Sequence, residues 1–371
     1  MKIIQVCPRY SPQIGGVETH VKELSKKLVE KGFEVEIYST DPQNKKLSVK
    51  FVDGVKISIC RSFAPNESYY FSPTLYNLLK KARYDVIHAH SYHAFPLLIS
   101  ALANGKRKPF VTTFHYYGHG YSAFRSMLHM PYKFFGHYIV NSAKRIICVS
   151  QHEKKIIESQ FPIASQKTIY IPNGVNYRKF AKSKPILDED GFKILYAGRL
   201  SPEKNLRTLL FAYKELQEKI KGTKLIIVGR GPALLYLKKL SERLSLRNVI
   251  WTGGVPHESI AGYYKSADVF VLPSKKEVQC ISVLEAMASG LPVVLPYYDG
   301  VKGILFNEEN GLFFNNNDNH DLFEKLMRLN YDENLRKKMG KMAQENIKKN
   351  FAWSTLIKKY IELFHEVMAN E

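Results

Sequence analysis

Cysteine is scarce: four in 371 residues, Cys7, Cys60, Cys148 and Cys280, with no C-x-x-C pair. That spacing argues against a disulfide framework or a zinc site and fits a reducing, cytoplasmic compartment. No apolar run approaches the ~20 residues that a membrane-spanning helix needs. Met1-Lys2 leads straight into the apolar stretch Ile3 to Val6, so no secretory leader is expected. Acid is the deficient sign of charge, with 34 Asp and Glu against 55 Lys and Arg. The shortfall lies in residues 1–185, which carry 28 basic and 11 acidic residues, net +17, whereas residues 186–371 net only +4. Such a surface favours nucleic acid, an anionic membrane surface or phosphorylated ligands. It is equally the lysine-rich solubilising surface common in heat-adapted proteins. Zinc-finger spacing and RNP-type aromatic motifs are both missing, so nucleic acid is not expected as a partner.

What is present is a long alternation of short β-branched runs and helical patterns. Strands are expected at residues 3–6, 35–38, 55–59, 86–87, 110–113, 146–149 and 168–171. After the polar stretch 182–190 the series restarts, at 194–197, 225–228, 249–251, 269–272, 293–295 and 312–314. Strands of this length spaced by helices predict an α/β protein of two doubly wound, Rossmann-like domains, residues 1–184 and 185–352. The chain closes on a helix from Trp353 to Met368, apolar at Leu356, Tyr360, Ile361, Leu363 and Phe364.

Several turns between these elements carry chemistry. Gly15-Gly16 precede a helix with Val17, Val21, Leu24 and Leu28 on one face, a weak signal for an anion held at a helix N-terminus. His115 lies just past a strand end, where ligands sit in open α/β sheets, and suits positioning or proton relay for a substrate hydroxyl. The surrounding His88, His90, His93 and His119 lack zincin spacing, so no metal is expected. From Tyr121 to Val140 aromatics and Met mix with Arg125 and Lys133, a composition that fits a membrane surface or amphipathic acceptor and equally a partly buried helix pair. Gly198-Arg199-Leu200-Ser201-Pro202-Glu203-Lys204 ends one strand, with Ser201 expected as helix cap and Pro202 at the first position. Arg199 and Lys204 there suit a diphosphate. Gly229 marks another strand-to-glycine turn. Glu277 and Glu285 sit eight positions apart in the passage from a strand to a helix starting near Ile281. Ser282 to Glu285 also fits a capping box, so Glu285 suits either a structural or a ligand role.

Taken in order, Gly15-Gly16-Val17-Glu18, Ile171-Pro172-Asn173-Gly174-Val175, Gly198 to Lys204, and Glu277 with Glu285 followed by Ala286 to Val294 resemble the motifs of retaining glycosyltransferases of family 4. The likeness covers nearly the whole chain. It implies the GT-B architecture, two Rossmann-like domains with a central cleft, and a C-terminal helix, 353–371, packed back on the first domain. It implies a nucleotide-diphosphate sugar, GDP- or UDP-linked, as donor, no cofactor and no required metal. The acceptor expected from the basic first domain is lipid-linked or an anionic glycan, at the cytosolic membrane face. By the same resemblance His115, Glu277, Arg199 and Lys204 are the catalytic set. Gly15, Gly16, Gly198, Arg199, Lys204, Gly229, Glu277, Cys280, Ile281 and Glu285 are the donor-binding set. The family's first glutamate is usually followed by glycines; here Val278-Gln279-Cys280 follow it, which leaves open an inactive sugar-nucleotide-binding protein or an epimerase.

Overall fold

The computed structural model describes residues 1–371 except 11–14, 66–68, 119–122, 189, 257 and 370–371, and only the backbone of 123–131. Residues 11–14 of the first glycine loop, His119 and Tyr121 therefore lie outside the described residues, as does the Arg125 side chain. The strands are β1 Lys2–Val6, β2 Glu34–Asp41, β3 Ser48–Val52, β4 Val55–Arg61, β5 Val86–His90, β6 Phe110–Thr113, β7 Arg145–Cys148, β8 Thr168–Tyr170, β9 Lys193–Ala197, β10 Lys224–Val228, β11 Val249–Gly253, β12 Val269–Val271, β13 Val293–Pro296 and β14 Gly311–Phe314. The helices are α1 Gly16–Val29, α2 Pro73–Lys81, α3 Phe95–Asn104, α4 Ala123–Ser142, α5 Gln151–Gln160, α6 Tyr177–Lys182, α7 Leu206–Lys219, α8 Leu234–Arg243, α9 Ile260–Lys265, α10 Ile281–Ala288, α11 Asn319–Tyr331, α12 Glu333–Asn350 and α13 Trp353–Ala369.

Two compact units result, Met1–Asn173 with Trp353–Glu371, and Gly174–Ala352. The division falls at Asn173–Gly174 and not in the polar stretch near 184. Val175 is the reason: its N–H donates to Phe351 O at 2.9 Å, and the short helix α6 after it packs on α9, α10 and α12. Residues 174–352 thus form the second unit.

The first unit holds an eight-stranded sheet in the order β3-β4-β2-β1-β5-β6-β7-β8, parallel except for β3 against β4. Val, Ile and Phe in its central strands are buried on both faces, as parallel sheets covered by helices require. One face packs against α1 and α13, the other against α2, α3, α4 and α5. On α13 the buried residues Trp353, Leu356, Ile357, Tyr360, Leu363, Phe364 and Val367 follow helical spacing. Each such side chain contributes ~1.5–3 kcal/mol when fully buried, so α13 is an integral part of this unit. The second unit holds a parallel six-stranded sheet, β11-β10-β9-β12-β13-β14, around a single core.

Strand order decides where ligands can sit. In the first sheet the order reverses at β1, whose neighbours are β2 and β5; in the second it reverses between β9 and β12. Loops leaving the carboxyl ends of those strands diverge to opposite faces and open a crevice between them. Gly15-Gly16 follow β1. Arg199 and Lys204 follow β9, and Glu277 follows β12.

Candidate active site

In the second unit, β9 ends at Ala197, and the chain turns through Gly198 and the exposed Arg199. The buried Tyr196 hydroxyl donates to Arg199 O at 2.8 Å and fixes this turn. Ser201 stands at the N-cap of a 3-10 turn, Pro202–Lys204, but its hydroxyl donates to Glu203 Oε1 at 2.6 Å and caps no backbone N–H. Helix α7 starts only after Asn205, held at φ +52°. The expected Ser201 cap is thus corrected: a side-chain partner two residues away takes its hydroxyl, and Lys204 sits in a tight turn before the helix.

That turn delivers Lys204 to Glu277, with Lys204 Nζ donating to Glu277 Oε1 at 2.5 Å. Burial alone would lower the Lys204 ammonium, but the carboxylate facing it overcomes this and holds the group well above the usual lysine range. A fixed cation and a fixed anion therefore lie side by side at the β9–β12 switch point. Beside them, burial first and the Glu277 charge second raise the Cys280 thiol, whose sulfur lies 3.1 Å from Ser282 Oγ.

The helix after Glu277 begins two residues earlier than a capping box would require. Cys280 is the N-cap of α10, so Ser282 lies inside the helix. Glu285 is buried and accepts a hydrogen bond from Tyr264 OH of α9 at 2.9 Å. The capping-box reading of Glu285 is overturned, because a carboxylate in the second turn faces the neighbouring helix instead of its own first turn.

The glycine turns are close approaches of backbone to backbone. A Cβ on Gly229 would lie 1.9 Å from Gly198 O. Leu200 N–H donates to Arg230 O, and Gly229 N–H to Gly253 O, so three strand ends are tied together behind Arg199.

In the first unit, Gly15 caps α1 without a side chain, and the Glu18 carboxylate fills the place a Cβ would take, 2.4 Å from that position. Arg9 Nε donates to Glu18 Oε1 at 3.0 Å. His115 follows β6 in a left-handed conformation, φ +50°, which costs a non-glycine residue ~1 kcal/mol or more. It is held there by Glu153, a residue the sequence reading passed over. The Glu153 carboxylate accepts from Tyr116 N and Val149 N, both at 2.6 Å. Burial pushes its carboxyl up to about 8, against those donors, which favour the anion. Its sequence signal was Ser150-Gln151-His152-Glu153, a capping-box pattern at the start of α5, and Ser150 Oγ does accept from Glu153 N at 3.0 Å. Replacing Glu153 by Gln leaves one buried N–H without an acceptor. A loss of ~1–3 kcal/mol is expected, read as a lower melting temperature of the first unit, with reduced turnover through a displaced His115.

Around His115 lies a buried imidazole cluster. Its ring stacks on His90 at 5.8 Å and meets His20 edge-on at 5.5 Å, while His88 and His90 are 4.1 Å apart. His88 and His90 pair with Thr113 Oγ1 and Gln5 Oε1, both at 2.8 Å. His115 Nε2 has no hydrogen-bond partner among the described residues. Among those residues, too, no group of three or more His, Cys, Asp or Glu is arranged to hold a metal ion. Burial lowers all four imidazoles, His115 to about 4 and His88 to about 3. They are neutral in the folded chain, while the unfolded chain binds protons near pH 6.5. Their contribution is therefore complete above 6.5 and is lost as pH falls toward 4, at ~1.4 kcal/mol per pH unit for each histidine. Thermal unfolding followed between pH 7 and pH 4.5 is expected to show this steep acid loss, weakened by His88→Gln.

Residues 178–346 match the family described as Glycosyl transferases group 1, and residues 14–179 match Glycosyltransferase Family 4. The chain belongs to glycosyltransferase family 4. It is 28% identical over 332 residues to the UDP-Gal:alpha-D-GlcNAc-diphosphoundecaprenol alpha-1,3-galactosyltransferase of Escherichia coli, covering 85% of this chain and 84% of that one. It is 26% identical over 372 residues to the alpha-monoglucosyldiacylglycerol synthase of Acholeplasma laidlawii, covering 91% and 90%. The fold superimposes on sucrose-phosphate synthase from Thermosynechococcus elongatus with TM-score 0.80 and 21% identity, over all of both chains. The protein is a glycosyltransferase of GT-B architecture. In this glycosyltransferase the second-unit residues Lys204 and Glu277 are in direct contact, and Arg199 stands exposed at the neighbouring strand end. In the first unit His115 and Gly15-Gly16 flank the other switch point. No helix among the described residues is long and apolar enough to cross a membrane.

Proposed function

We propose that this glycosyltransferase moves a sugar, with retention at the anomeric carbon and without a metal, from a UDP-sugar to a lipid-linked acceptor at the cytosolic membrane face. The observation that carries the reading is the Lys204–Glu277 pair at the β9–β12 switch point. Transfer breaks the bond from the anomeric carbon to the β-phosphate oxygen. The electron pair leaves with the phosphate, and positive charge grows on the sugar. A fixed ammonium beside the first charge and a fixed carboxylate beside the second favour that transition state over the ground state. Arg199 adds a second cation to the diphosphate and Gly16 a backbone N–H. Gly198, Gly229, Cys280, Ile281 and Glu285 complete the donor set, and His115 lies with donor sugar and acceptor. The acceptor hydroxyl attacks from the face the diphosphate leaves, and its proton passes to the departing phosphate oxygen. The donor assignment is supported by the UDP-Gal named for the Escherichia coli relative, the lipid acceptor by the diphosphoundecaprenol and diacylglycerol named for the two relatives.

The test is a thermal-shift screen with UDP, GDP, ADP and their sugars, followed by transfer assays with the nucleotide that binds. UDP is expected to raise the melting temperature by mass action. A shift with GDP alone overturns the donor assignment. A second reading rests on Val278, a β-branched residue where the family usually has glycine: a sugar-nucleotide-binding protein without transfer, or an epimerase. Binding without transfer or hydrolysis favours the first, and a changed sugar nucleotide formed without acceptor favours the second.

A further inference from the structure

At one end of the first sheet, β3 has a single strand neighbour among the described residues, β4, and its other edge is unpaired. The two strands pair in unbroken register around the two-residue turn Asp53-Gly54, at φ +51° and +76°. Such a tight hairpin bonds Val52 and Val55 to each other, and bonding alternates along the ladder from there. The N–H and C=O groups of Val49 and Phe51 therefore point outward, away from β4. Natural edges are commonly blunted by a proline, a bulge or a covering segment. β3 contains no proline and no register shift. Instead it carries apolar side chains at alternate positions, Leu47, Val49 and Phe51, on one face of the sheet. All three are exposed, Val49 by 48% and Phe51 by 74%.

We infer that β3 pairs antiparallel with β3 of a second copy about a two-fold axis at Val49, joining two eight-stranded sheets into one. Charge and apolarity select this register. Outward-pointing groups must meet one another and facing side chains must share a face, so few registers are open. An axis at Lys50 sets Lys50 against itself, and an axis at Ser48 sets Lys46 against Lys50, like charges directly opposed. An axis at Phe51 sets Val49 against Asp53. The axis at Val49 sets Val49 on Val49 and Leu47 on Phe51, and brings Lys45 opposite Asp53. Asp53 lies 3.7 Å from Lys26 of its own chain, so each end of the seam gathers two lysines around one carboxylate. An isologous interface demands such self-matching, whereas a surface shaped for a different protein does not. Five paired residues a side bury less than the ~1,600 Å² of a standard interface, so the dimer is weak.

Sedimentation of the full chain from ~1 to ~100 µM is expected to show monomer passing into dimer, as suits an interface of this size. Residues 1–185 carry net +17, so two copies repel at a distance, and raising the salt should strengthen the dimer. Val49→Pro removes an outward N–H and leaves the bonds to β4 in place, and it should weaken the dimer more than tenfold. Phe51→Thr keeps strand propensity while both copies lose a buried ring, with a loss of at least tenfold. Phe51 is exposed in the single chain, so this variant carries the test even where the proline disturbs the hairpin. Val49→Cys reads the register. Facing Cα atoms there stand ~5.5 Å apart, within disulfide reach. Two Phe51→Cys sites stand ~14 Å apart across the same axis. Oxidation should therefore cross-link the first variant and not the second. A monomer at every concentration, edge variants that dimerise like the parent, or cross-linking through Phe51→Cys as readily as through Val49→Cys would each overturn the inference. Sedimentation uses neither donor nor acceptor, so its outcome is independent of the catalytic reading.

Discussion

Lys204→Met is expected to lower sugar transfer by about 10³-fold, the order seen when one preplaced donor to a developing negative charge is removed. It also strips the partner from a Glu277 side chain that is only 13% exposed. Breaking a buried pair from one side costs up to ~3 kcal/mol, because the remaining charge stays desolvated. Stability and activity therefore fall together in the single variant, and the double variant Lys204→Met with Glu277→Gln separates them. Removing both charges should recover most of the melting temperature while transfer stays low. If the double variant instead regains activity, the pair is structural and the charge argument fails. Lys204→Arg is not a neutral control, since a planar fork cannot occupy the place of a compact ammonium in contact with one carboxylate oxygen.

The same pair shows what a sequence can and cannot reveal about this site. The loops that bear Lys204 and Glu277 were legible because each follows a short apolar strand, and period and turn residues locate strand ends well. Their contact was not legible, since it depends on β9 and β12 being neighbours, a property of strand order. Edge strand β3 escaped for a different reason. Ser48–Val52 is exposed along most of its length, so no buried face imposes the alternation that marks a strand. Ser201 and Ser282 show the limit of cap patterns: each fits the rule in one dimension, and each lies next to a competitor, Glu203 or an earlier N-cap, that only the backbone path reveals. Glu153 is the converse, a residue in an ordinary capping pattern whose carboxylate holds up the loop of His115 from another element.

The second large effect is expected at Gly300, which no motif marks. It lies in the 3-10 turn Asp299–Val301, buried against the loop that follows Glu277. A Cβ there would meet Glu277 O at 2.2 Å and Val278 O at 2.5 Å. Both contacts are backbone, so no side chain can rotate away and the loop itself must move. Gly300→Ala should therefore displace Glu277 by a fraction of an ångström to an ångström and cost transfer about 10²-fold, while overpacking costs only ~1–3 kcal/mol. Gly303→Ala is the matched control. Its φ of +83° makes alanine unfavourable by about 1 kcal/mol or more, yet its Cβ would meet nothing within 4 Å. The two variants should lose stability alike and differ in activity. Equal activity in both would mean that the loop carrying Val278-Gln279-Cys280 yields without moving Glu277, and that the close fit at Gly300 serves packing alone.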